Sequence, residues 1–159
     1  MTVRLNGQNL TCAAVHGIAH GGSTLLCEDA RVRMQANVDS MPEGPSILEE
    51  KRHWLVGGFA SEMTSDELCR TFIIGHCAGV GPLLPKALVR ATMAARANVL
   101  ATATTGCRPV AAEVLIDMLN ADVIPEVPSQ GSVGAAGDLA PLAHIARVAC
   151  GYVERPDSV

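Results

Sequence analysis

Two histidines and a run of glycines carry the chemistry this sequence can offer. His53 follows the charged patch Glu49 to Arg52 and precedes Trp54-Leu55-Val56-Gly57-Gly58-Phe59-Ala60. His76 sits in Gly75-His76-Cys77-Ala78-Gly79. Imidazole gives or takes a proton near neutral pH, so both are candidates for general acid–base work. The third feature is Gly131-Ser132-Val133-Gly134-Ala135-Ala136-Gly137-Asp138, running into Leu139-Ala140-Pro141-Leu142-Ala143-His144. Its regularly spaced glycines let the backbone turn sharply and pack closely. Asp138 reads as a helix N-cap, its carboxylate accepting from the free N–H groups of the next turn. Pro141 falls in that first turn, where a missing N–H does no harm. A small-residue loop delivered onto a helix N-terminus is a place to bind an anion or stabilise an oxyanion.

Each candidate has a plainer reading. His53 is equally an exposed loop histidine, and His76 a helix residue satisfied by a neighbouring carbonyl. His144 reads as structural, orienting the loop by a hydrogen bond. Gly131, Gly134 and Gly137 do not make a nucleotide cradle, because no Lys or Thr follows in the Walker pattern. Arg108 suits the carboxylate of a substrate, or is a surface residue at a helix start. Cys77 stands beside His76, but an isolated helical cysteine is more often packed than nucleophilic.

These residues need a scaffold, and the composition says which kind. Hydrophobic residues make up 48% of the 159 and aromatic ones only 3%, so the core is aliphatic and favours helix packing over a β-sandwich. The net charge of −4 and the lack of a basic run argue against a nucleic-acid groove. No apolar run is long enough to span a bilayer. Met1 to Asn6 lacks the charged-then-apolar form of a signal peptide. The six cysteines are scattered without a Cys-x-x-Cys pair, which points to a reducing, cytoplasmic setting and to no metal site.

The elements can be placed in order. Thr2 to Leu5 predicts a short strand, and Thr11 caps a helix over 12–19 that stops at Gly21-Gly22. A second helix runs from Glu28 to Ser40 and ends at the linker Pro42-Glu43-Gly44-Pro45. Thr64 and Glu67 form a capping box for a helix through Leu68, Phe72 and His76. Pro85 and Pro109 open two more helices. Ile124 to Pro128 is an extended approach to the glycine loop. The expected organisation is one domain, 1–159: strand and helices over 1–45, then a loop-and-helix core over 46–159 containing the glycine loop 131–137.

The glycine stretch resembles the signature of the histidine and aromatic amino-acid ammonia-lyase family. Three further blocks stand in the family's order: the opening strand with the Leu10-Thr11 helix, Arg96-Ala97-Asn98-x-Leu100 with Thr105-Gly106-Cys107-Arg108, and Leu119-Asn120-Ala121 with Pro125-x-x-Pro128. In that family an Ala-Ser-Gly in the loop cyclises to methylidene-imidazolone (MIO), an electrophile made from the chain itself. Here the triad is Ala135-Ala136-Gly137. Alanine has no leaving group on Cβ, so the resemblance implies a member with no cofactor of that kind. It aligns Gly57-Gly58-Phe59-Ala60 with the end of a family loop whose tyrosine base becomes His53 and whose asparagine becomes Val56. His76 matches a histidine that faces the substrate side chain in histidine-specific members.

The implied fold is mainly α with a short β element: an ammonia-lyase-like N-terminal domain without the family's C-terminal helical bundle. The implied function is small-molecule acid–base chemistry (isomerisation, cyclisation or elimination) with His53 and His76 catalytic. Phe59, Arg108, Gly134, Ala135, Ala136 and Gly137 would then meet the substrate. The alternative is a non-catalytic partner or scaffold in a lyase-like complex. Either way, apolar helix faces imply a homo-oligomer or a second chain supplying the missing helical half, with no nucleic acid or membrane as partner.

Overall fold

The computed structural model describes residues 2–42, 63–134 and 137–152. They group into two compact units, one from residues 1–42 and 84–125, the other from 43–83 and 126–159.

The first unit opens with β1 (Thr2–Leu5), α1 (Cys12–Ala19) and β2 (Ser23–Leu26), the two strands pairing parallel with Thr2 opposite Ser23 and Leu5 opposite Leu26. Thr11 caps α1 as expected, accepting from the Ala14 N–H at 3.2 Å. Then come α2 (Glu28–Asp39), and, after residues of the second unit, α4 (Lys86–Leu100) and α5 (Pro109–Asn120). Helix α4 packs on α1 and α5, and β2 lies against α5. The core is aliphatic: Leu5, Ile18, Met34, Met93, Ala97 and Leu119 are all buried. Pro109 stands in the first turn of α5, where its fixed φ suits a helix start.

Strand β2 was not expected from the sequence. Its four residues, Ser23-Thr24-Leu25-Leu26, do not alternate, and it is held by a partner 96 positions away. The Asn120 side chain brackets the Thr24 backbone, accepting from its N–H and donating to its carbonyl, both at 2.9 Å.

Arg90 is the polar centre of this unit. It is 4% exposed, yet every bond it makes is to an acceptor fixed by the fold. It donates to the carbonyls of Ile18 (2.8 Å) and Leu119 (3.0 Å) and to the Asp122 carboxylate (2.9 Å). Asp122 ends α5 at φ 57°, with Val123 N–H bonded to the Met118 carbonyl. That left-handed position usually takes glycine. Aspartate tolerates it, and the carboxylate there also accepts from Lys86 at 2.5 Å. Lys86, then Arg90, hold the Asp122 carboxyl below the ordinary carboxylate range.

The second unit holds α3 (Ser65–His76), β3 (Val80–Leu83), β4 (Pro128–Gln130) and α6 (Leu139–Ala149). Helices α3 and α6 pack together, and β3 pairs antiparallel with β4, Val80 opposite Gln130 and Leu83 opposite Pro128. The expected capping box is formed: Glu67 N–H donates to Thr64 Oγ1 at 3.3 Å, and Thr64 N–H to the Glu67 carboxylate at 2.8 Å. Strands β3 and β4 went unread because both carry proline and neither alternates. The architecture is mainly helical with small β elements, as expected.

Removing Arg90 takes a buried charged donor from the carbonyls of Ile18 and Leu119, at the ends of α1 and α5. Arg90→Ala is expected to lower the unfolding free energy by about 3 kcal/mol in denaturant titration. Asp122→Asn, which alters an exposed acceptor, is expected to cost far less. Equal losses would show that the ion pair, and not the carbonyl contacts, holds the unit.

Candidate functional site

The site is built where α3 ends, where β4 leaves its partner, and where α6 begins, all within the second unit. The chain leaves α3 through Cys77, whose thiol donates to the Ile73 carbonyl at 3.3 Å. Gly79 then passes Gly131 so closely that a Cβ on Gly131 would lie 3.0 Å from the Gly79 Cα and 3.2 Å from the Ala140 Cβ. Gly131 also holds φ at 149°, a conformation that side chains disfavour. A Cβ on Gly79 would in turn meet His144 Nε2 at 3.0 Å and Pro128 Cβ at 3.1 Å. The absence of two side chains thus lets the loop close on α6.

Beyond Gly131 the loop is self-bonded. The Ser132 hydroxyl donates to the Asp138 carboxylate and accepts from the Gly134 N–H at 3.3 Å, and Gly137 N–H reaches the Gly134 carbonyl at 3.1 Å. Asp138 does occupy the N-cap position of α6, but its side chain makes no cap bond. The expectation of a carboxylate cap is therefore corrected. Capping by a side chain needs an extended backbone at the N-cap. Asp138 is left-handed at φ 57° and its carboxylate is drawn back onto Ser132.

His144 is 8% exposed, and its Nε2 has no hydrogen-bond partner among the described residues. Among the described residues Nε2 thus makes no orienting hydrogen bond, and the ring stands beside the space that Gly79 leaves. Burial, and then the neighbouring Arg147 charge, push the His144 pKa below its ordinary 6.5. Arg147 Nε is likewise buried without a partner among the described residues.

His76, half-buried at the end of α3, places its ring 4.2 Å from that of Phe72 and its Nδ1 2.7 Å from the Phe72 carbonyl. A carbonyl only accepts, so Nδ1 carries a proton, and in the neutral form of the ring the lone pair is on Nε2. Gly134 and Gly137 are exposed in the same unit. Arg108 is exposed at the N-cap of α5 in the first unit. His53, Phe59, Ala135 and Ala136 lie outside the described residues. Arg147 was not picked out from the sequence, and Gly79 and Pro128 were named there only as members of their blocks, without the packing that the fold gives them. Among the described residues no three His, Cys, Asp or Glu side chains gather as a metal site, and no helix is long and apolar enough to cross a membrane.

A glycine loop closed onto a helix start, with an imidazole at the end of the packed neighbouring helix, is what the sequence blocks imply. A family model described as aromatic amino acid lyase matches residues 10–155. The chain belongs to this family. The histidine ammonia-lyase of Anaeromyxobacter dehalogenans is 39% identical over 161 residues, spanning 94% of this chain and 31% of the relative. The crystal structure of tyrosine aminomutase from Streptomyces globisporus matches with a TM-score of 0.71 and 29% identity, over 92% of this chain and 28% of that one. Histidine ammonia-lyase from Trypanosoma cruzi matches with a TM-score of 0.72 and 27% identity, over 92% and 29%. The chain thus spans about a third of the length of these relatives.

The family's electrophile does not fit the residues present. Its formation removes the hydroxyl of the central residue of Ala-Ser-Gly, and residue 136 is alanine. The nearby Ser132 hydroxyl lies outside the triad and is engaged by Asp138 and Gly134.

Two measurements test this geometry. Gly131→Ala, which meets backbone and adds strain, is expected to destabilise by about 2–4 kcal/mol, and Gly79→Ala by less, because a side chain can yield. The native state also resists protonating His144. Its contribution is complete above the ordinary pKa of 6.5 and is lost as pH falls from there through the lower folded value. His144→Leu is expected to flatten the stability curve between pH 7 and 5, and an unchanged slope would contradict the assignment.

Proposed function

We infer that this lyase-family chain acts on a small amino-acid-like molecule by proton transfer, without the family's electrophile. The observation that carries the reading is the His76 tautomer. Nδ1–H is committed to the Phe72 carbonyl, which leaves Nε2 as a base with no partner among the described residues. A carbonyl that fixes one ring nitrogen is how an imidazole is oriented for general-base work. His53, at the position that resembles the family's tyrosine base, is the second proton carrier. The backbone N–H groups around Gly134 and Gly137 and the start of α6 would stabilise developing negative charge, with Ala135 and Ala136 lining the approach. Phe59 would pack on the substrate, and Arg108 is offered as a carboxylate partner on its sequence block alone. The relatives' printed names support an amino-acid substrate, histidine first. The reaction is isomerisation, cyclisation or an elimination that needs no covalent activation.

A second reading is supported by β3, all four of whose residues are exposed, with Val80 at 62% and the loop residue Val133 at 73%. Apolar side chains so placed suit a chain that works in a homo-oligomer or against a partner supplying further helices, as a scaffold in a lyase-like complex. A monodisperse monomer in light scattering at micromolar concentration would remove it.

The catalytic reading is tested by deuterium uptake. L-histidine incubated with the protein in D2O should exchange protons at Cα or Cβ, followed by NMR. His76→Ala and His53→Ala should each slow this by about 100-fold or more while the unfolding curve is unchanged. No exchange above background, or undiminished exchange in His76→Ala, would overturn it.

A further inference from the structure

Away from the glycine loop, the other end of α6 turns back onto α3 in a fixed way. Gly151 N–H bonds to the Val148 carbonyl at 3.0 Å and Tyr152 N–H to the Arg147 carbonyl at 2.8 Å, with Gly151 at φ 70°. This pair of bonds is a Schellman end, and it fixes Cys150 at the C-cap. Tyr152 then lies on α3. Its hydroxyl donates to Asp66 at 3.1 Å, and the Arg70 guanidinium carbon stands 5.9 Å from its ring centre. Cys69 follows Asp66 by three positions and precedes Arg70, so it shares the helix face that receives Tyr152. Cys69 is half-buried and Cys150 exposed, and both are free thiols.

We propose that Cys69 and Cys150 are a thiol pair that closes to an intramolecular disulfide, tying the start of α3 to the end of α6. Two further facts agree with their closeness. Burial, then Cys69 and Asp66, raise the Cys150 thiol above its ordinary value. Tyr152 is raised by burial and Asp66 first, and both sulfurs add to it. A raised thiol is a slow nucleophile, so closure needs a disulfide oxidant in excess and mildly alkaline pH.

With oxidised glutathione the chemistry balances. The exposed Cys150 thiolate attacks one glutathione sulfur, forming a mixed disulfide and expelling one glutathione thiolate. The Cys69 thiolate then attacks the Cys150 sulfur, forms the Cys69–Cys150 bond and expels the second. The two cysteines lose two electrons, and the two protons pass to the two glutathione thiols. The inference does not depend on the proton-transfer reading.

The test is to incubate the reduced chain with excess oxidised glutathione at about pH 8.5, near the free-thiol pKa. Thiols are then counted in denaturant and disulfide-linked peptides mapped by mass spectrometry. Thiols should fall from six per chain to three, with a Cys69–Cys150 peptide as the main internal linkage and the exposed Cys12 carried as a glutathione adduct. Cys69→Ser should leave Cys150 as a stable glutathione adduct, and Cys150→Ser should leave Cys69 reduced. Adducts without a Cys69–Cys150 peptide in the unaltered chain, six free thiols, or a dominant linkage through Cys77 would each overturn the proposal.

Discussion

The close passage of Gly79 over Gly131 is the constraint on which the site depends. Two backbone segments approach to a distance that leaves no room for a side chain on Gly131. One leaves α3 and the other leaves β4, so the contact sets where the glycine loop starts relative to His76. Ala140 closes the same contact from α6, and the His144 ring takes the space beside Gly79. Interiors are packed closely enough that such a crossing has no slack. The loop that follows is therefore held at its base by packing, and the Ser132–Asp138 bond joins its two described ends. The first unit has its own fixed point in Arg90, which gathers the ends of α1 and α5 without a second buried charge.

Much of this was legible in the residues because the signals are local. The Thr64 capping box, the Thr11 cap, and the helix starts at Pro85 and Pro109 rest on bonds within one turn of chain. The strands were not legible. Strand β2 is held by Asn120, and β3 by a partner reached through two intervening helices. Three- and four-residue strands carry too little pattern to reveal such pairing. Asp138 shows a subtler failure. Its residue type favours a cap, but the preference presumes an extended backbone, and the glycines on its N-terminal side permit a left-handed one. His144 was read as a hydrogen-bonded group because buried polar atoms usually are. Its Nε2 instead faces Gly79, which only the fold brings there, and finds no partner among the described residues.

The site's chemistry divides along the same line. Family membership was readable because four sequence blocks stand in order, and the family match spans residues 10–155. The tautomer of His76 was not, since the sequence leaves open which ring nitrogen carries the proton. The Phe72 carbonyl decides it. What the chain lacks was plain from one side chain. The family's reactive carbon comes from a serine that sheds its hydroxyl, and a methyl group stands there instead. The account therefore assigns the chemistry to imidazole and to main-chain dipoles.

That assignment is tested most directly by the intact mass of the purified chain, read beside its ultraviolet spectrum. The account predicts the mass of the unmodified sequence and no absorbing centre beyond the aromatic side chains. A mass lower by two waters, together with a new absorbing group mapped to residues 135–137, would contradict it.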